Sequence, residues 1–281
     1  EIVAGLGSND DGASVVTMIA AYRYFTERHI ESPNRTLEYP DSTLESVEKN
    51  PNLILVLTCE EERSGKNGMT GLWPELSEKV THAIIGEPTG MKCATSERGL
   101  LAIDAEAYGK SGHAARNEGD NAIYHAMDDM QWFRTYQWPL SSPLLGPVKM
   151  SVTIVKSGTQ HSVIPDTCTF TVDGRSNECY TNQELYNAIC SQVKSEVKAR
   201  SFRLGSSHIA PDHPSVTKAV QMGRVPFGSP TLSDQALMPW PSMKMGPGDS
   251  SRSHTADEFI RISEIEEAIQ LYVEWLDGLK F

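Results

Sequence analysis

Leu53-Ile54-Leu55-Val56-Leu57-Thr58-Cys59-Glu60-Glu61-Glu62 sets five consecutive apolar residues just before three carboxylates. A continuous apolar run of this length reads as a strand buried on both faces, as in a parallel sheet covered by helices. Ala83-Ile84-Ile85 is a second, shorter run, followed by Gly86-Glu87-Pro88-Thr89. Upstream, helix-period apolar spacing extends from Gly12 to about His29, with Val15, Ile19 and Tyr22 on one face. The polar, proline-bearing stretch from Glu31 to Asn52 reads as a loop. Strands interleaved with helices predict an α/β layer with a mostly parallel sheet, whose ligands gather beyond the carboxyl ends of the strands. Glu60, Glu61, Glu62 and Glu87 stand at such ends.

From about Arg98 the texture changes. Residues 101–107, 149–155 and 168–172 alternate apolar and polar at period 2, the pattern of half-exposed antiparallel strands. Helical patterns over Asp120–Trp138 and Asn182–Arg200 accompany them. The prediction is an inserted α+β domain over 98–207, between two parts of one α/β domain at 1–97 and 208–281. The second part ends in a helix that Ser263 and Glu266 would open with a capping box. Ile262, Ile265, Ile269, Tyr272, Val273 and Leu276 would form its buried face.

Composition narrows the function. The chain has 281 residues and a formal net charge of −12, which disfavours nucleic acid and anionic membranes as partners. No apolar stretch approaches the roughly 18–20 residues that span a bilayer. The opening Glu1-Ile2-Val3-Ala4-Gly5 does not read as a signal peptide, and none is expected. The five cysteines form no C-x-x-C pair, and an odd number suits free thiols in a reducing cytoplasm. Cys59 reads as a buried strand-end thiol or, beside the glutamates, as a reactive one.

The chemistry rests on acids far apart in sequence. Asp10 closes Gly5-Leu6-Gly7-Ser8-Asn9-Asp10, where a dinucleotide loop would need glycine and a carboxylate would repel phosphate. It reads either as a helix cap, a role open also to Asn9, or as a metal ligand. Of Glu60–Glu62, one could bind metal while another holds a proton, if the strand continues far enough to point them apart. Glu87, between glycine and proline, has a defined direction. His254 follows Gly246-Pro247-Gly248 and a serine-rich loop, and His113 ends the turn Gly109-Lys110-Ser111-Gly112-His113. Arg175 could clamp a substrate carboxylate or pair with Asp173. Carboxylates at several strand ends, joined by histidine, are what a pair of divalent cations requires, so the pattern predicts a metal-dependent hydrolase.

Together, Gly5–Asp10, Thr58–Glu62, Gly86–Thr89, Gly109–His113 and Gly246–His254 occur in the order of one family. The chain resembles the dinuclear zinc aminoacylase and carboxypeptidase family, which includes succinyl-diaminopimelate desuccinylase and acetylornithine deacetylase. It looks most like the acetylornithine deacetylase branch, in a Bacteroidetes-like form with N-succinyl substrates in view, and the resemblance covers the whole chain. It implies two Zn2+ ions (Co2+ or Mn2+ as substitutes) bridged by Asp10, with Glu62 and His254 completing one site and Glu87 belonging to the other. It further implies Glu61 as general base and acid, and His113 as oxyanion stabiliser reaching a neighbouring subunit. The insertion would be a lid and homodimerisation domain. Ser162 stands where many relatives carry asparagine to contact substrate.

The family begins with a strand bearing His-x-Asp, a zinc ligand with its orienting acid, and by that comparison roughly seventy residues of the catalytic domain are missing here, as in a fragment of a longer protein or in a degraded relative. The implied reaction is removal of an Nα-acetyl or succinyl group from ornithine or a close relative, in cytoplasmic arginine biosynthesis. The alternatives are a diaminopimelate desuccinylase, a dipeptidase, or a non-catalytic dimeric binding homologue lacking the first ligand.

Overall fold

The computed structural model describes residues 1–31, 52–116 and 118–279, with the side chains of 28–31 left out. In chain order the strands are β1 (Ile2–Ala4), β2 (Ala83–Ile85), β3 (Cys93–Glu97), β4 (Leu101–Tyr108), β5 (Gly112–His113) and β6 (Lys149–Ser157). They continue with β7 (Val163–Ile164), β8 (Thr167–Arg175), β9 (Glu196–Ala199), β10 (Ser207–His208), β11 (Pro226–Ser229), β12 (Ser242–Lys244) and β13 (Phe259–Arg261). The helices are α1 (Ala13–Glu31), α2 (Met69–Leu76), α3 (Ala122–Thr135), α4 (Asn182–Cys190), α5 (Pro214–Gln221) and α6 (Ile262–Leu276). Two compact units share the chain: one of Glu1–Thr95, Ile209–Phe227 and Pro239–Phe281, the other of Ser96–His208 and Gly228–Met238. The architecture is α/β with an inserted α+β unit.

In the first unit, β12 runs parallel to β2 and antiparallel to β3, with Lys244 opposite both Ile85 and Ala94. The small, fully buried side chains Cys93 and Ala94 let helices close over this sheet. Met243, Met245, Val216, Ala219, Ala268, Tyr272 and Trp275 form its core. Trp275 keeps its indole N–H satisfied by donating to the Ser215 carbonyl at 2.9 Å, and the Tyr272 hydroxyl donates to the Met245 carbonyl. Both are large side chains that bury apolar area without stranding a polar atom.

Three sequence expectations change here. Residues 53–57 form no strand, and Ile54 and Leu57 are 48% and 53% exposed. An apolar run states what a strand would bury, whereas pairing needs a neighbour offering N–H and C=O groups, and none lies alongside among the described residues. The buried stripe of α1 is Ala13, Thr17, Ala21 and Phe25 at four-residue spacing, leaving Val15 on the outside. Arg261, not Ser263, caps α6, with the Glu264 carboxylate accepting from its N–H at 3.0 Å. Ala268, Leu271, Tyr272 and Trp275 are the buried positions of α6, with the predicted isoleucines half-buried beside them. The expected loop from 31 to 52 lies almost wholly outside the described residues.

The second unit is a four-stranded antiparallel sheet in the order β9-β4-β8-β6. On β4, Leu101, Ile103, Ala105 and Ala107 are buried, and Cys168, Phe170 and Val172 of β8 join them. Cys168 stands opposite Ala107, Phe170 opposite Ala105, and Val172 opposite Ile103. The period-2 pattern thereby becomes one apolar face, covered by Ala122, Ala126 and Phe133 of α3 and by Leu185 and Ile189 of α4. The outer face carries the Asp104–Arg200 ion pair at 2.7 Å.

The predicted helix over 182–200 stops at Cys190, and Glu196–Ala199 pairs with β4 instead. Asp129 fixes the intervening turn by accepting from the N–H groups of Lys194 and Ser195 at 3.0 and 2.7 Å. α4 opens with a full capping box between Thr181 and Glu184. No helix among the described residues is long and apolar enough to cross a membrane.

Candidate metal centre

The turn at Ser8–Gly12 leads into α1 and carries Asp10. Asn9, fully buried, knits this turn to a loop some 240 residues away in sequence. Its side-chain amide donates to the Asp249 carbonyl at 3.1 Å and to the Ser253 hydroxyl at 3.2 Å, and its side-chain oxygen accepts from the Asp249 N–H at 3.0 Å. Glu258, 1% exposed, accepts from the N–H groups of Asn9 and Asp10 at 2.9 and 2.8 Å. Burial works against its charge, yet the N–H groups of Asp10, Gly7 and Asn9 together hold its pKa below the usual carboxylate value. This lattice is why Asp10 meets His254: the histidine sits on the tethered loop, in a left-handed backbone conformation at φ 57°.

Glu61 and Glu62 lie on a single 3-10 turn, Glu61–Arg63, flanked by Glu60 at φ 60° and Ser64 at φ 46°. They do not extend a strand as the sequence suggested. Glu60 folds back, accepting from the Asn67 amide side chain at 2.8 Å and from its backbone N–H at 3.2 Å. That leaves Glu60 holding the loop while its two neighbours project elsewhere.

His254 Nε2 lies 3.7 Å from Asp10 Oδ2 and 3.8 Å from Glu62 Oε1. One ligand atom from each of the three residues falls within 4.8 Å of the others. A tetrahedral zinc-class cation with bonds of about 2.0–2.1 Å spaces its ligand atoms by about 3.3 Å, so small side-chain adjustments close these three around one ion. The donor set of two carboxylates and an imidazole suits such a cation. The residues present fit the group.

Glu87 follows β2. Gly86 admits α1 at close quarters: a Cβ there would stand 2.6 Å from that of Ser14. Lys244, 1% exposed, places its Nζ 4.0 Å from Glu87 Oε2.

Asp11 is a residue the sequence reading missed. Burial, reinforced by the charges of Glu87, Asp10 and Glu61 and opposed by the Ser14 hydroxyl, pushes its pKa from 3.8 up to about 8. Asp10, Asp11, Glu61 and Glu87 are therefore within electrostatic reach as one acidic cluster. The available signal was the Asp-Asp pair ahead of an apolar helix, since a cap needs one acid and not two.

The remaining candidates lie in the second unit. His113, on β5, stands opposite Val163 of β7, and its Nδ1 accepts from the Ala115 N–H at 3.1 Å. The Ser162 carbonyl accepts from the Ala114 N–H at 2.9 Å, so His113 and Ser162 sit on adjoining strand ends. Arg175 uses its Nε and one Nη on Asp173, at 2.7 and 3.0 Å, the ion pair that was one of its two sequence readings.

Residues 95–201 match the peptidase dimerisation domain family. A Mycobacterium tuberculosis (strain H37Rv) protein named for succinyl-diaminopimelate desuccinylase activity, DapE, is 26% identical over 246 residues, covering 83% of this chain and 69% of its own. The acetylornithine deacetylase of Myxococcus xanthus is 30% identical over 130 residues, covering 44% of this chain and 34% of its own. Among solved structures, aminopeptidase PepT from Bacillus cereus superposes with a TM-score of 0.70 at 17% identity, over 99% of this chain and 76% of that one. The M20 family metallo-carboxypeptidase Sso-CP2 from Sulfolobus solfataricus gives a TM-score of 0.62 at 13% identity, over 98% of this chain and 77% of that one. At those identities the superpositions speak for the fold. Residues 95–201 are thus similar in sequence to peptidase dimerisation domains, the chain is similar in sequence to a desuccinylase and a deacetylase, and its fold is similar to that of the M20 metallo-carboxypeptidase.

Proposed function

We propose that this chain belongs to a metal-dependent hydrolase that removes an Nα-acyl group, acetyl or succinyl, from ornithine or a close relative. The observation that carries the reading is the convergence of Asp10, Glu62 and His254 on one point. In this reading those three residues hold one cation, while Asp10 and Glu87 contribute to a second. Cations of the zinc class supply Lewis acidity toward the acyl carbonyl and lower the pKa of water.

The chain's own residues do the rest. Glu61 takes the proton from the attacking water and returns it to the leaving amine, a shuttle typically worth about 10²–10⁴-fold. His113 donates to the developing oxyanion, where one lost donor commonly costs about 3–4 kcal/mol. Arg175 and Ser162 serve the substrate's carboxylate and polar groups, Arg175 with the guanidinium edge not facing Asp173. Homodimerisation through the inserted unit is supported by β6, an edge strand of nine residues on which Ile154 and Val155 are 47% and 51% exposed. A cytoplasmic setting is in keeping with five cysteines that are all free thiols.

A second reading, desuccinylation of diaminopimelate, is favoured by the name of the Mycobacterium relative. The test is amine release from N-acetylornithine, N-succinylornithine, N-succinyl-diaminopimelate and dipeptides by the zinc-loaded protein, together with Glu61→Gln. The expected result is release from an N-acyl amino acid, lost in E61Q with cation binding intact. Near-normal turnover in E61Q would remove Glu61 from its role. Bound metal without turnover of any substrate would favour a binding homologue.

A further inference from the structure

We propose that Lys244 is a positioning residue that competes with a divalent cation for the Glu87 carboxylate, an inference that rests on the reading of Glu87 as a metal ligand. Lys244 ends β12, in the middle of the first unit's sheet, where an ammonium is expensive to bury unless a carboxylate faces it. The backbone determines which carboxylate that is. β2 and β12 run in register, and the Met245 N–H donates to the Ile85 carbonyl at 2.9 Å. Beyond that bond the two chains stay pressed together, because the Thr89 and Met91 N–H groups both donate to the Gly246 carbonyl, at 3.2 and 2.9 Å. A Cβ on Gly246 would stand 2.6 Å from the Glu87 carbonyl. Glu87 is thus pinned two residues past β2, and the lysine one strand over reaches its Oε2 at 4.0 Å.

The charge has two consequences. It holds the Glu87 carboxylate by an ion pair at 4.0 Å, and it places one fixed positive charge at a carboxylate that the second cation would need. A cation arriving at Glu87 must displace or repel that charge, whereas one arriving at Asp10, Glu62 and His254 shares only Asp10 with that position and takes its other two donors from Glu62 and His254. The two positions therefore fill with unequal affinity, and Lys244 sets the gap.

The test is calorimetric titration of the metal-stripped chain with Co2+, comparing the parent protein, K244M, K244R, E87Q and the K244M/E87Q double variant. Methionine keeps the buried volume and removes the charge; K244Q, checked for folding by circular dichroism, repeats the measurement with a polar isostere. The expected result is that K244M tightens the binding step that E87Q weakens, by about tenfold or more for a unit charge lost at this distance. K244R should leave that step unchanged, and the effect of K244M should vanish in the E87Q background. Equal affinities in K244M and the parent, or an undiminished effect when E87Q is also present, would overturn the proposal. Cobalt binding abolished by H254A yet insensitive to K244M would refute this inference alone. A parent chain that binds no cobalt would refute the metal-site reading as well.

Discussion

Replacing Glu258 by glutamine should destabilise the metal-free chain and loosen its grip on cations together. The carboxylate accepts two backbone N–H groups on the same oxygen, from Asn9 and Asp10, with the Gly7 N–H also directed at it. A hydrogen bond to a charged group is worth about 1.5–3 kcal/mol and a neutral one about 0.5–1.5, so neutralising the acceptor costs about 1 kcal/mol per bond. Glutamine can keep its amide oxygen on those two N–H groups, but its NH2 group then takes the place of the second carboxylate oxygen and is a buried donor left unmatched, adding about 1–2 kcal/mol. The sum is about 3–4 kcal/mol, a large share of an ordinary domain's stability. Urea unfolding of E258Q at pH 7 in the presence of chelator measures it. The sign of the pH dependence is fixed by the lowered pKa: the charge contributes stability above the unfolded value of 4.5, and that contribution is lost as pH falls through the lower folded value. The gap between parent and variant should accordingly narrow below pH 4.5. A loss under about 1 kcal/mol at pH 7, or a gap indifferent to pH, would refute the view that this buried charge organises the Asp10 turn.

Asp11 should act in the opposite sense. Its folded pKa of about 8 against 3.8 unfolded means that folding takes up a proton across that interval, so stability falls as pH rises from about 4 to about 8. D11N should flatten this slope, gaining a few kcal/mol at pH 8 in metal-free thermal or urea unfolding. In the parent, cation binding near neutral pH should release protons, read as a calorimetric enthalpy that varies with the buffer's ionisation enthalpy; D11N should lessen that variation. His254→Ala should abolish the tighter cation-binding equivalent while leaving unfolding of the metal-free chain within about 0.5 kcal/mol, because the imidazole is two-thirds exposed at 66%. Thr181→Ala should remove the capping box of α4 and cost about 1 kcal/mol of stability without touching cation binding.

What could be read from the sequence was whatever depends on local period. The alternation over 101–107 became the buried and exposed faces of β4, because a strand exposes every second residue whatever its partner. The helical pattern at 120–138 became α3, with Asn121 as its cap. Leu53–Leu57 misled because period says nothing about neighbours. The 182–200 segment misled because the helix ends at Cys190 and a buried aspartate, Asp129, holds the turn at Lys194 and Ser195 that leads the chain into a strand. Within the candidate centre, residue types were legible and distances were not. Asp10 and His254 are joined through Asn9 and Glu258, whose side chains satisfy backbone groups 240 or more positions away. Asp11 escaped notice because an acid at the start of a helix ordinarily faces water.

The apolar run before the acidic turn has one more consequence. Asn52–Cys59 contains no charge, proline or glycine, and its Ile54 and Leu57 stand half in water, which is the composition of a segment that stacks into cross-β fibrils. The residues next to it, Glu60, Glu61 and Glu62, act as electrostatic gatekeepers against that stacking. Divalent ions in excess would neutralise those same carboxylates and lift the guard, so the additive meant to load the centre would also seed precipitation, at a threshold set by ionic strength and protein concentration.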